Sequence, residues 1–279
     1  PISLIDKVYA SWQALSTSPE LSNTRTVVAQ QSKALTDELN STYNQLITVK
    51  EDSQKVIKQD VVDVNNMLNQ IDDLNKQIKT VKIGGNEPND LMDKRDLLED
   101  KLSTKFGIKI DNKDYGGQDL TATDGATGDL TLVKSIATDD VKRFSYVSSI
   151  TQKTAPVKNT DGTITAGTYD VTYYKNGDMS SNTNKVTISN MSLSSAEYTS
   201  LDQGRVLVAD KEGYAVDSTG TRMAGTEIVG TTSSAVPAVT GSPTAAIGTA
   251  YQLFQPTTGE LNGYRSVQAD IDKIGRAHV

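Results

Sequence analysis

The sequence predicts an α+β fold, a long helix with an antiparallel helical return of bundle or coiled-coil type and an inserted β-rich domain. Three observations predict it. Residues 20–83 contain neither Gly nor Pro, a run of 64 positions. Two glycines and a proline then fall between residues 84 and 88, and a second amphipathic run begins. Beyond residue 110 the texture changes, since 17 of the 20 Gly and nine of the 11 Tyr lie there.

The breaker-free run is long for a helix. At ~1.5 Å per residue it would reach roughly 96 Å, against a mean globular helix of ~11–12 residues. Ser18 suits an N-cap, Pro19 suits N1 where its missing N–H is harmless, and Glu20 suits the positive end of the dipole. Apolar residues recur at three- and four-residue steps: Val28, Leu35, Leu39, Tyr43 and Leu46, then Ile57, Val61, Val64, Leu68, Ile71, Leu74, Ile78 and Val81. This heptad-like stripe is the seam of a coiled coil or long bundle helix. It weakens over 48–55, where Lys50, Glu51, Asp52 and Ser53 stand, so either one helix or two broken there fits the pattern.

Gly84 and Gly85 end the rod as a C-cap. Asn86 or Asn89 is expected to cap the next helix, which runs to about Ser103. The five-residue connection forces the two helices into contact, with Leu91, Leu98 and Leu102 on Ile71, Leu74 and Ile78. A return of about 15 residues spans only roughly 22 Å. An apolar strip around Leu35, Leu39, Tyr43 and Leu46 should therefore stay partly exposed.

Short alternating runs at 168–174, 185–188 and 205–208 read as strands, and Asn176-Gly177 and Asp161-Gly162 as hairpin turns. Residues 231–248, rich in Ser, Thr, Pro and Ala, read as a loose loop. The stretch 259–271 reads as a turn followed by a helix. The domain organisation expected is a helical domain over 1–119 completed by 250–273, and an inserted β-rich domain over 120–249. The insert should be removable with the helical part still folding. The chain starts at Pro1 without a signal peptide, which reads as a fragment. Residues 274–279 match the translation of a sequencing-library adapter and are set apart as a non-native tail, leaving no native histidine.

Composition excludes several function classes. The 279 residues carry a formal net charge of −7 with both signs mixed in both halves, so no basic stripe for nucleic acid is present. No run of eighteen apolar residues marks a membrane helix. Cysteine is absent, which removes disulfides, thiolate catalysis and Cys-based zinc sites. Asp90, Asp93 and Asp96 share one side of a helix, but no His or Cys stands near, and dipole complementation and solvation explain them. Arg95 lies on the face of Leu91, Leu98 and Leu102 and reads as an inter-helix ion pair rather than an anion site. The segment 111–119 tempts a calcium-loop reading, but Lys113 occupies a ligand position, so a turn with solvated acids is preferred. No nucleotide-binding fingerprint is present, and the single Trp12 is expected to pack on neighbouring helices. No catalytic, cofactor or metal residues are assigned.

Several segments resemble one family. Trp12-Gln13-Ala14-Leu15-Ser16, Ser18-Pro19-Glu20, the long helix and Leu74-Asn75-Lys76-Gln77-Ile78 are similar to the flagellar hook-associated protein FlgK family. So is the motif made by Asn86, Pro88, Asn89, Asp90, Leu91, Asp93, Lys94, Arg95 and Asp96, followed by Leu102-Ser103. Glu260-Leu261-Asn262-Gly263-Tyr264 resembles the point where that family re-enters its helical domain. The resemblance covers about 1–110 and 258–273. It implies an extracellular, non-enzymatic structural subunit of the bacterial flagellum, exported through the flagellar channel. It would join hook to filament as a ring of copies of itself, with the hook protein and the second hook–filament junction protein as partners, and with no cofactor, nucleic acid or membrane. The alternatives are an adhesin or binding module on a helical stalk, and an enzyme housed in the β domain. The lack of native His and Cys weighs against the enzyme.

Overall fold

The computed structural model of the protein describes residues 2–123, 128–136, 140–160, 162–229, 232–238 and 251–276. Two helices, α1 (Ile2–Thr17) and α2 (Ser22–Ile83), precede the return helix α3 (Asn89–Lys105). The hairpin strands β1 (Ile108–Asn112) and β2 (Gln118–Ala122) follow, then β3 (Leu130–Val133) and β4 (Arg143–Thr154). A two-residue pair, β5 (Val157–Lys158) and β6 (Ile164–Thr165), leads to β7 (Gly167–Tyr174) and β8 (Lys185–Leu193). Helix α4 (Ser195–Gly204), β9 (Val206–Ala209), β10 (Thr226–Val229), β11 (Thr232–Ala235) and α5 (Gly259–Arg276) complete the order.

The chain divides into two compact units, residues 1–53 with 270–279, and residues 54–269. Both α2 and α5 contribute to each. The first unit holds α1 and the start of α2. Here the expected helix start is corrected. Ser18, Pro19 and Glu20 form a turn between α1 and α2, closed by the Leu21 amide donating to the Ser18 carbonyl at 3.3 Å, and α2 begins at Ser22. Proline disfavours helical backbone in the residue before it, so α1 ends at Thr17 ahead of Pro19. Trp12 is 56% exposed rather than packed. The strip expected to be uncovered is so: Leu39 and Tyr43 are exposed and Leu35 and Leu46 half-buried. The Lys50 ammonium meets Asp272 of α5 at 3.0 Å in this unit.

The second unit carries the sheets. α2 is one helix through the weak stretch 48–55. Gln54, the first residue of this unit, donates to Gln268 of α5 at 3.4 Å. At least Lys50 and Gln54 of the weak stretch thus have polar partners on α5.

All strand pairings are antiparallel. Three strands form the order β1-β2-β3 and six form β11-β10-β8-β7-β4-β9. On β7 the alternation places Gly167, Tyr169, Val171 and Tyr173 inside, as a half-covered antiparallel strand requires. Tyr169, Val171 and Tyr173 join Val186, Ile188, Leu193 and Leu201 of α4 in one core. A second core lies on the other face. Ile57, Val61, Val64, Leu68 and Ile71 of α2, with Leu102 of α3 and Phe106, pack with Leu120, Leu132, Phe144, Val206, Val208, Phe254 and Leu261. Phe106, Phe144 and Phe254 meet with ring centroids 4.4–5.8 Å apart, at the short end of the spacing of favourable aromatic pairs. Helices and sheets in this unit therefore share one hydrophobic interior.

Among the turns, Asn176-Gly177 has both residues at positive φ, 55° and 73°. The connection between β7 and β8 nevertheless runs over ten residues, from Lys175 to Asn184, not two. Gly177 is held against α2, where an added Cβ would lie 2.9 Å from Val61 Cγ1. The first part of the expected loop 231–248 is the edge strand β11 paired to β10. The rest of that loop from 239, Asp161 of the expected Asp-Gly turn, and residues 277–279 of the tail lie outside the described residues.

Candidate functional site

The motif spanning 84–105 builds a helical corner. At the end of α2 the Asn86 amide donates to the Val81 carbonyl at 3.2 Å and the Gly85 amide to that of Lys82 at 3.0 Å. Gly85 sits at φ 81°. This is a Schellman closure, with glycine at the left-handed position where a side chain would be strained. Pro88, buried, occupies the N-cap of α3, and its carbonyl receives the Leu91 and Met92 amides at 3.1 and 3.0 Å. Neither Asn86 nor Asn89 caps α3 with its side chain, contrary to the expectation. Asn86 serves the preceding helix through its backbone, and Asn89 is the first helical residue.

The motif's acids do not form a site. Asp90, Asp93 and Asp96 are all exposed, and only Asp90 lies in the first turn, where the helix dipole acts. Leu91 and Leu98 are half-buried and Leu102 fully buried. α3 runs antiparallel to α2, since Arg95 meets Asn75 while Lys105, ten residues on, meets Asp60.

Arg95 is the buried centre of the motif, 2% exposed. Its Nη1 donates to Asn75 Oδ1 at 2.9 Å and to the Gly116 carbonyl at 2.6 Å. It thus ties α2, α3 and the turn before β2 together. Its acid neighbours are Glu99 at 3.6 Å and Asp96 at 4.0 Å, both on its own helix. The expected acid of the long helix is replaced by the neutral amide of Asn75. Glu99 is buried as well, and burial pushes its carboxyl up to about 7, opposed by Arg95.

Three asparagines of α2 dock the helix onto the sheets; sequence reading passed over Asn65 and Asn69 and quoted Asn75 only within a family segment. Asn65 accepts from the Phe144 amide at 3.0 Å and donates to the Phe144 carbonyl at 2.7 Å, completing that residue's backbone bonding. Asn69 accepts from Arg143 Nε and Nη2 at 3.1 and 2.9 Å. Asn75 donates to the Gln118 carbonyl at 2.9 Å. Arg143 is 1% exposed, and burial lowers its guanidinium to about 10. Polar residues inside an apolar helical stripe were the available signal. Where α5 begins, Lys105 bridges Asp60 at 2.8 Å and Glu260. Gly259, at φ 77°, lies so close that an added Cβ would collide with the Lys105 carbonyl.

The segment 111–119 is a hairpin, with Lys113 paired to Asp111 and the Asp119 carboxylate accepting from the Ser135 amide at 2.6 Å. Among the described residues no group of three or more His, Cys, Asp or Glu is placed to hold a metal ion. No helix among them is long and apolar enough to cross a membrane. The geometry is that of a joint between helices and sheets.

Residues 3–189 match the family described as flagellar hook-associated protein FlgK helical domain. The chain is 36% identical over 123 residues to flagellar hook-associated protein 1 of Bacillus subtilis, covering 44% of this chain and 24% of that protein. It is 29% identical over 125 residues to the protein of the same name from Salmonella typhimurium, covering 44% and 23%. The chain thus matches about a quarter of the length of these curated relatives. Among solved structures, the flagellar hook junction protein FlgK of Burkholderia pseudomallei aligns with a TM-score of 0.45 and 19% identity, over 61% of this chain and 27% of that one. With the family match extending over two-thirds of its residues, the chain belongs to the flagellar hook-associated protein FlgK family.

Proposed function

We propose that this chain is part of a structural subunit of the bacterial flagellum, one that joins hook to filament and works by assembly rather than catalysis. The observation that carries this is the family match over residues 3–189, which takes in the long helix, the return helix and the Arg95 motif. Its partners are copies of itself arranged as a ring, the hook protein and a second hook–filament junction protein. It acts outside the cell, exported through the flagellar channel. The uncovered apolar face of the first unit, with Tyr43 57% and Trp12 56% exposed, fits a protein whose helices are completed in an assembly.

Deleting the gene in its own organism tests the proposal. A subunit that connects two axial parts is needed for the outer part to attach. The deletion strain should bear hooks without filaments, fail to swim, and regain both on complementation. A strain that keeps its filaments and swims overturns the proposal, and one that swims but loses surface attachment favours the adhesin.

A further inference from the structure

We propose that Arg95 and Glu99 form a proton-operated joint: when Glu99 ionises, the Arg95 guanidinium swings onto its carboxylate and releases the Gly116 carbonyl and Asn75 Oδ1, freeing the turn before β2 from α3. Five atoms carry the inference. Glu99 Oε1 is buried without a hydrogen-bond partner, and so is Arg95 Nε. They stand 3.6 Å apart, less than an ångström beyond a charge-assisted bond of ~2.7–2.9 Å. Meanwhile Arg95 Nη1 spends its bonds on two neutral acceptors, Asn75 Oδ1 and the Gly116 oxygen. That distribution suits a protonated Glu99. A desolvated carboxylate without donors is among the costliest groups a protein can hold, and the nearest remedy is the free Nε–H.

The charges that act on Glu99 are all on its own helix. Arg95 favours ionisation, while Asp96 and Asp100 oppose it. From α2 the group meeting Arg95 is the uncharged Asn75, and from the hairpin turn it is a backbone carbonyl. No charge on α2 or on the turn is among those acting on Glu99 in the described structure. Burial raises the Glu99 carboxyl from 4.5 to about 7, and Arg95 only partly offsets this. The folded form therefore keeps a proton that the unfolded chain gives up at about 4.5. The stability this contributes is complete below about 4.5 and is lost as pH rises through about 7. The joint switches near neutrality.

Carbon-13 NMR of the whole chain with carboxyl-labelled glutamate tests this, Glu99 being assigned by its absence in Glu99→Gln. The expected result is a Glu99 midpoint near pH 7. The Asn75 side-chain amide and the Gly117 amide, whose peptide group carries the Gly116 oxygen, should shift with the same midpoint. In Glu99→Gln both should stay at their low-pH positions throughout, and the fall in stability between about pH 4.5 and 7 should flatten. A Glu99 midpoint in the ordinary range of 4 to 5 overturns the proposal. A midpoint near 7 that leaves Asn75 and Gly117 unmoved overturns it equally. If the variant folds poorly, through-bond assignment of Glu99 in the wild-type chain lets the wild-type titration decide these outcomes.

Discussion

Gly85 and Gly259 separate two ways in which a residue can be required. Both have positive φ, 81° and 77°. An added Cβ at Gly85 meets nothing within 4 Å, whereas at Gly259 it collides with the Lys105 backbone. Gly85→Ala should therefore cost only the left-handed strain, ~1–2 kcal/mol. Gly259→Ala adds displacement of α5 from α3, and overpacking of that kind costs ~1–3 kcal/mol more. Urea unfolding at constant slope would show the ordering, and equal midpoints for the two variants would contradict it. Sequence revealed Gly85 through its place between two amphipathic runs. Gly259 reads there as an ordinary turn residue, because the carbonyl that excludes a side chain belongs to a residue 154 positions earlier. Arg95 was legible by its helical face, but its true acceptors, Asn75 and Gly116, are set by tertiary contact.

Helices α2 and α3 and the strands β7 and β8 were legible as elements because their periodicities, near 3.6 and 2, are imposed by the faces they bury. Helix α4 was missed, although Ser194 and Glu197 form a capping box at its start, a spacing readable from the chain alone. The start of α2 lies three residues beyond the expected one, since Ser18-Pro19 satisfies the cap pattern equally well as the turn it forms. The sharpest difference concerns the autonomy of the β-rich segment. Sequence texture suggests a detachable insert. The shared core instead places Ile57, Val61, Leu68, Leu102 and Phe106 against Leu120, Phe144, Val208 and Phe254. Removing 120–256 would uncover those five side chains at ~1.5–3 kcal/mol each, comparable with the ~5–15 kcal/mol that keeps a typical domain folded. The shortened chain should melt without a cooperative transition and bind a hydrophobic dye. A sharp transition with native helicity per residue would restore the insert as a separate domain.

On the scale of the molecule, the family match and the architecture point the same way. The buried polar joint at Arg95 and Asn75 links helices to sheets, as a protein that transmits contact requires. The apolar positions left open on α2, Leu39 and Tyr43, were legible by arithmetic, because a helix of 17 residues cannot cover one of 62. What covers them depends on partners, which a single chain does not encode in its periodicity. The junction role is tested most directly by position. An epitope tag placed between β5 and β6, two strands whose residues are exposed, would mark the full-length protein in flagellated cells. Immunogold electron microscopy should then show a single band where hook meets filament. Label spread along the filament or over the cell surface, with none at that boundary, would contradict the account.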